Sequence, residues 1–237
     1  MVPRDRSASL FALLLWLAML SGCQRPQVPT ERPPTERVSL APAMTRGATV
    51  YEIDPEQSEI RALVFRTGRL AKLGHNHVVS SSELAGRVYL QDDFSRSGFE
   101  LRLPVASLVI DDPDLRAQEG EDFPGKIPDK DIEGTRENML GAKVLDAESF
   151  PQITVTAIAA SGSPENPQMT FQIVLRGTPA NFTVPVGIVL EQGKLTATGE
   201  VEISHSDFSL QPFSVFGGAI AVAETIPIKF RLVALEG

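Results

Sequence analysis

From residue 49 onward, apolar and polar positions alternate with a period of two, the pattern of strands that bury one face. Phe99, Leu101, Leu103 and Val105 alternate with Glu100, Arg102 and Pro104. Ile153, Val155 and Ala157 alternate with Thr154 and Thr156, and Phe171, Ile173 and Leu175 with Gln172, Val174 and Arg176. The alternation continues through 182–190, 195–203 and 226–232, where Lys229 and Arg231 mark the outward face. Turn signals such as Gly177-Thr178-Pro179 and Gln192-Gly193 punctuate these runs. The pattern predicts at least eight sequential antiparallel strands, closed as a barrel or stacked as a sandwich.

A period near 3.6 is found only at 132–144 (IEGTRENMLGAKV), which predicts one short helix weakened by Gly134 and Gly141. The preceding stretch, 111–131, is acidic and holds Pro113, Pro124 and Pro128, and is expected to be a long excursion at a barrel mouth, with its acidic loop solvated.

The first 22 residues follow another logic. Arg4 and Arg6 precede the apolar run 10–20 (LFALLLWLAML), which is too short to span a bilayer core of about 30 Å. It ends in Leu20-Ser21-Gly22-Cys23, which resembles the lipobox of bacterial lipoproteins. Residues 1–22 are therefore expected to be a lipoprotein signal peptide and Cys23 the lipidated residue. Cys23 is the single cysteine of the chain, so no intramolecular disulfide can form. The absence of Asp at Gln24 points to the periplasmic face of the outer membrane.

Residues 24–47 contain Pro26, Pro29, Pro33, Pro34 and Pro42 and few large apolar side chains, and read, with Cys23, as a disordered tether reaching about 3 Å per residue. The folded domain is expected over 48–237. Removing 1–22 deletes Arg4, Asp5 and Arg6 and leaves 20 basic and 29 acidic side chains, a net charge of −9 that argues against nucleic acid.

Six short motifs, in order, resemble the YceI-like family. They are Tyr51-Glu52-Ile53-Asp54 with Ser58; Leu84-Ala85-Gly86-Arg87-Val88-Tyr89-Leu90; Val105-Ala106-Ser107-Leu108; Leu145 through Phe150-Pro151-Gln152-Ile153; Leu175-Arg176-Gly177-Thr178-Pro179; and Ser206-Asp207-Phe208-Ser209-Leu210. Ser209 departs from the family's usual Gly. The resemblance implies a single lipocalin-like antiparallel barrel of about eight strands, with a cavity for a polyisoprenoid or another long apolar lipid, no cofactor and no catalysis. Phe65, Phe99, Phe171, Phe182, Phe208 and Phe230, with His75, His77 and His205, are the candidate ligand-binding residues; ordinary core packing is the competing reading for each phenylalanine.

The three histidines also carry the rival reading of a metal-binding periplasmic protein. On a strand His75 and His77 share a face, and His205 continues the parity of Val201 and Ile203, which would allow three imidazoles to meet. Gly74-His75-Asn76-His77 nonetheless resembles a variant within the family that need not bind metal. Ser204, His205, Ser206 and Asp207 do not make a hydrolase, because strand neighbours point to opposite faces and no Gly-x-Ser-x-Gly elbow is present. Residues 120–126 (GEDFPGK) have phosphate-loop spacing, but Ile127 stands where magnesium needs a hydroxyl and the flanking carboxylates repel phosphate. Whether the protein forms a homodimer is left open by the sequence.

Overall fold

In the structure, a computed structural model, residues 39–81, 83–163 and 166–237 are described. The signal peptide, Cys23 and most of the expected tether lie outside these residues. The strands are β1 (Thr49–Ile53), β2 (Glu59–Val64), β3 (Arg66–Thr67), β4 (His77–Ser81), β5 (Ala85–Leu90), β6 (Gly98–Pro104) and β7 (Val109–Ile110). After them come β8 (Gln152–Ser163), β9 (Asn166–Leu175), β10 (Thr178–Glu191), β11 (Lys194–Ser204), β12 (Ser214–Val215), β13 (Ile220–Val222) and β14 (Thr225–Glu236). The α-helices are α1 (Pro42–Thr45), α2 (Pro113–Gln118) and α3 (Asp129–Leu140).

All pairings are antiparallel, and the ring β1-β5-β6-β8-β9-β10-β11-β14 closes through β14 and β1. This is a closed eight-stranded antiparallel barrel, as the resemblance implies. Beyond the ring, β2, β4 and β7 extend β1, β5 and β6 around the same wall, because β2 pairs with β14 and β4, and β4 with β7.

The break between β1 and β2 is built by the Tyr51–Ser58 motif. The Asp54 carboxylate accepts hydrogen bonds from the amides of Glu56 and Gln57, folding the inserted residues into a turn. Buried Ser58 then stitches that turn to β14: its hydroxyl donates to Val233 O at 3.2 Å and accepts from Val233 N at 2.9 Å. Gly86 serves a different need. A Cβ there would lie 2.1 Å from Glu100 O, so only glycine lets β5 and β6 approach this closely.

The expected hairpin turns are present. Arg176-Gly177 and Gln192-Gly193 both have positive φ, the geometry of two-residue type I′ loops joining β9 to β10 and β10 to β11. The predicted helix at 132–144 is α3, shifted to begin at Asp129 and stopped before Gly141.

Two expectations need correction. Residues 42–47 are not all tether: α1 forms there, and Met44, 6% exposed, packs with Leu40, Phe94 and Met169 against the barrel core. Gly98 makes room for it, since a Cβ there would meet Met44 Sδ at 2.8 Å. A lone Leu and Met among prolines gave no periodic signal, yet two apolar side chains suffice to dock one turn onto an existing core.

The excursion at 111–131 is likewise more than a solvated loop. Asp112 caps α2 by accepting from the amides of Asp114 and Leu115. Phe123 and Ile127 are buried, Phe123 packing with Leu63, Val78, Phe65 and Leu115 on the outside of β2 and β4. No helix among the described residues is long and apolar enough to cross a membrane.

Candidate functional site

Because alternate residues of every ring strand point inward, the apolar positions converge on a cavity of about 460 Å³. Its wall is almost wholly hydrocarbon: Ile60, Val79, Leu101, Leu103, Ile173, Ile188, Ala197 and Leu232 lie on it, with Phe65, Phe99, Phe171, Phe208 and Phe230. Gly199 makes space for Phe230, its cross-strand partner, because a Cβ there would meet the ring at 2.5 Å.

Five of the six predicted phenylalanines therefore line the cavity. Phe182 does not. Its ring is on the same face of the sheet as its cross-strand partner Phe171 and packs in the barrel interior beside the cavity, 6.3 Å from Phe171 and 6.1 Å from Phe208 between centroids. Phe94 and Phe213 line the cavity without having been predicted. Phe94 sits in a one-turn helix and Phe213 in a loop, and neither setting has a two-residue period that could have revealed which way the ring points.

The cavity opens at one end. Arg66, His75 and Asn138 both line it and are exposed, placing the mouth between the 66–75 loop and α3. Leu90, Phe94, Ser97 and Gly98 line the opposite end and are not exposed; α1 closes that end through Met44.

All three histidines line the cavity, each held differently. His77 Nδ1 lies 2.6 Å from Asp111 Oδ2, a contact in which the ring donates to the carboxylate. The other oxygen of Asp111 accepts from Val78 N at 2.9 Å and Arg116 Nη1 at 2.6 Å. Burial pushes the Asp111 carboxyl upward, but the hydrogen bonds from His77 and Val78 and the charges of His77 and Arg116 outweigh it and hold the group below its ordinary value. Arg116 also donates to the carbonyls of Asn76 and Gly125 and lies 5.7 Å over the Phe123 ring. This buried cluster fixes the start of β4, and with it the His77 ring, leaving Nε2 as that ring's remaining polar atom.

His75 is exposed, with Nε2 3.5 Å from Asp131 Oδ2 of α3. His205 is buried, and its Nδ1 lies 3.0 Å from Glu224 O. The expected convergence does not occur: the His75 and His77 rings are 6.2 Å apart, but among the described residues no three His, Cys, Asp or Glu side chains are placed to hold a metal ion. His205 does line the cavity, as its parity predicts, although β11 ends at Ser204 and the chain turns into a 3₁₀ helix there. Asp207 caps that turn, accepting from Ser204 N at 2.7 Å, so its carboxylate is committed to backbone rather than to His205.

Ser209, the departure from the family's usual Gly, ends this turn with φ of 57° and ψ of 29°, a left-handed conformation. Glycine adopts that conformation freely, whereas an L side chain carries a cost of about 1–2 kcal/mol. Ser209→Gly is therefore expected to stabilise the protein by about 1 kcal/mol, seen as a higher denaturant midpoint; an unchanged or lower midpoint would show that the turn is not strained.

The deciding comparison is with family models, where the YceI-like domain matches residues 51–234. The chain belongs to the YceI-like family. Among solved structures, this YceI-like protein is similar to BcnA of Burkholderia cenocepacia, with 18% identity over 77% of this chain and 99% of that one and a TM-score of 0.58. It is also similar to a polyisoprenoid binding domain from Saccharophagus degradans implicated in plant cell wall breakdown, with 13% identity over 80% of this chain and 99% of that one and a TM-score of 0.51. At these identities the likeness is one of fold. No curated protein matches the chain.

Proposed function

We propose that this protein is a non-enzymatic carrier or sequestering protein that holds a polyisoprenoid, or a similar long apolar lipid, inside its barrel. One observation carries the reading: the cavity of about 460 Å³ is walled almost wholly by hydrocarbon, and the exposed polar residues Arg66, His75 and Asn138 stand where it opens. Such a shape takes a slender apolar chain by burial and a polar end group by hydrogen bonding at His75, His77 or Asn138. The description of the Saccharophagus degradans neighbour as polyisoprenoid binding supports this ligand class. The Leu20-Ser21-Gly22-Cys23 motif supports a lipid anchor at Cys23 and a place in the bacterial envelope, on the periplasmic face of the outer membrane.

Mass spectrometry of the protein purified from bacterial membranes tests both parts. The N-terminal peptide is expected to begin at a diacylglyceryl-modified Cys23, and organic extraction to release a polyisoprenoid in stoichiometric amount. A barrel recovered without apolar ligand and unable to take up isoprenoid quinones would end the carrier reading, and an unmodified Cys23 would end the anchor.

A further inference from the structure

Around the mouth the surface combines basic residues with large exposed apolar side chains. Residues 66–75 carry Arg66, Arg69 and Lys72 with no carboxylate, on a chain whose net charge is −8. Residues 211–223, which form the facing loop, carry no charge. The two loops are joined: β3 pairs with β13, and Leu70 N donates to Ala219 O at 2.8 Å. At their tips Phe216 is 77% exposed, Leu73 72% and Leu70 41%, all large apolar side chains turned to solvent. Arg69 and Lys72, both exposed, make no ion pair among the described residues.

Gly74 and Ile220, which touch across the junction, both line the cavity, so this apolar and cationic surface is continuous with the opening. Of the nearby carboxylates, Asp122 and Asp131 belong to the α2–α3 side of the mouth, where Asp131 already faces His75, and Glu224, which follows the uncharged loop, accepts a hydrogen bond from Ser206 N.

From this juxtaposition we infer that the mouth docks on an anionic phospholipid surface, with Phe216, Leu70 and Leu73 entering the interface and Arg69 and Lys72 lying against phosphates. Apolar tips flanked by cations are the footprint of a protein that sits in the headgroup layer, where aromatic rings are favoured and basic residues are attracted by anionic lipid. The arrangement also answers a physical problem of the carrier reading, on which the inference rests: a long apolar chain passing from bilayer to barrel avoids water only if the opening is pressed to the membrane.

Tryptophan placed at the contact reports docking independently of any anchor. In the full chain, whose only native tryptophan is Trp16, Phe216→Trp is compared with the parent and with Val189→Trp. Val189 is also exposed, but it lies near the β10–β11 turn. With vesicles of phosphatidylethanolamine and phosphatidylglycerol, the emission added by Trp at 216 is expected to shift to the blue and to be quenched by brominated lipid, while that at 189 stays in water. Arg69→Gln with Lys72→Gln should weaken the effect about thirtyfold, and vesicles of phosphatidylcholine alone should not produce it.

Emission at 216 that stays open to aqueous iodide beside anionic vesicles would overturn the inference. So would burial of 216 that depends on protein concentration without lipid, since a second copy would then be the partner. A protein that docks but takes up no isoprenoid would instead sink the carrier reading and leave the docking surface standing.

Discussion

Ala197→Phe is expected to weaken uptake of an isoprenoid chain at least tenfold, roughly 1.4 kcal/mol or more, while the barrel stays folded. Ala197 lies on β11 between Ile188 of β10 and Leu232 of β14, and all three side chains line the cavity. A phenyl ring at this position projects into the lumen rather than into packed core, so it blocks the path of a slender ligand at a stability cost of about 1 kcal/mol, the low end for overpacking. Uptake followed by native mass spectrometry, with chemical denaturation as the folding control, reads both quantities. Unchanged affinity in a folded Ala197→Phe protein would place the ligand outside the barrel.

The second large effect is on stability. Arg116→Met should cost about 3–5 kcal/mol, because it leaves the Asp111 carboxylate buried without its cationic partner. Both groups are nearly sealed from water, Asp111 at 4% and Arg116 at 3% exposure. The same substitution removes the donors to Asn76 O and Gly125 O, and these carbonyls join the start of β4 to the covering segment. Replacing the partners together, Asp111→Asn with Arg116→Met, should cost less than the sum of the two single changes, and a double-mutant cycle from denaturant unfolding measures the difference. Additive losses would mean that the pair is not coupled.

The pH dependence has a definite sign. Since the folded state holds the Asp111 carboxyl below its ordinary value of 3.8, its contribution is complete above that pH and is lost as pH falls through the lower folded value. Stability should therefore drop in acid below about pH 4, and the drop should shrink in Asp111→Asn. An identical acid profile in both proteins would assign the acid sensitivity elsewhere.

How far the sequence could be read depends on the kind of signal each feature sends. Alternation along 99–105, 171–175 and 195–203 identified strands and their inward faces, because a two-residue period is a local property of extended chain. It therefore found Phe99, Phe171 and the lining positions of β11. The rule gives the face a side chain takes, not what that side chain meets there. Phe182 keeps its inward parity opposite Phe171, yet it packs against Phe171 and Phe208 in the core rather than lining the cavity. His205 likewise faces the cavity as its parity predicts, yet it is not brought together with His75 and His77 into a metal site among the described residues.

Composition misjudged 111–131 for a related reason. Its acids and prolines suggest a solvated loop, but Arg116, Phe123 and Ile127 are buried because β2 and β4 present Leu63 and Val78 outward and need a cover. A sequence records the few apolar residues of such a cover without recording the surface that awaits them.

By itself the sequence determined an antiparallel β-rich domain, its strand faces, its tight turns and its place in a family, because periodicity and turn chemistry are set within a few residues. Only the tertiary structure decided that the strands close around a cavity with one plugged and one open end, and that Phe216, Leu73 and Arg69 meet beside that opening. Closure, plugging and the meeting of distant loops depend on contacts between residues from about fifty to well over a hundred positions apart, and no local pattern encodes which of those contacts form.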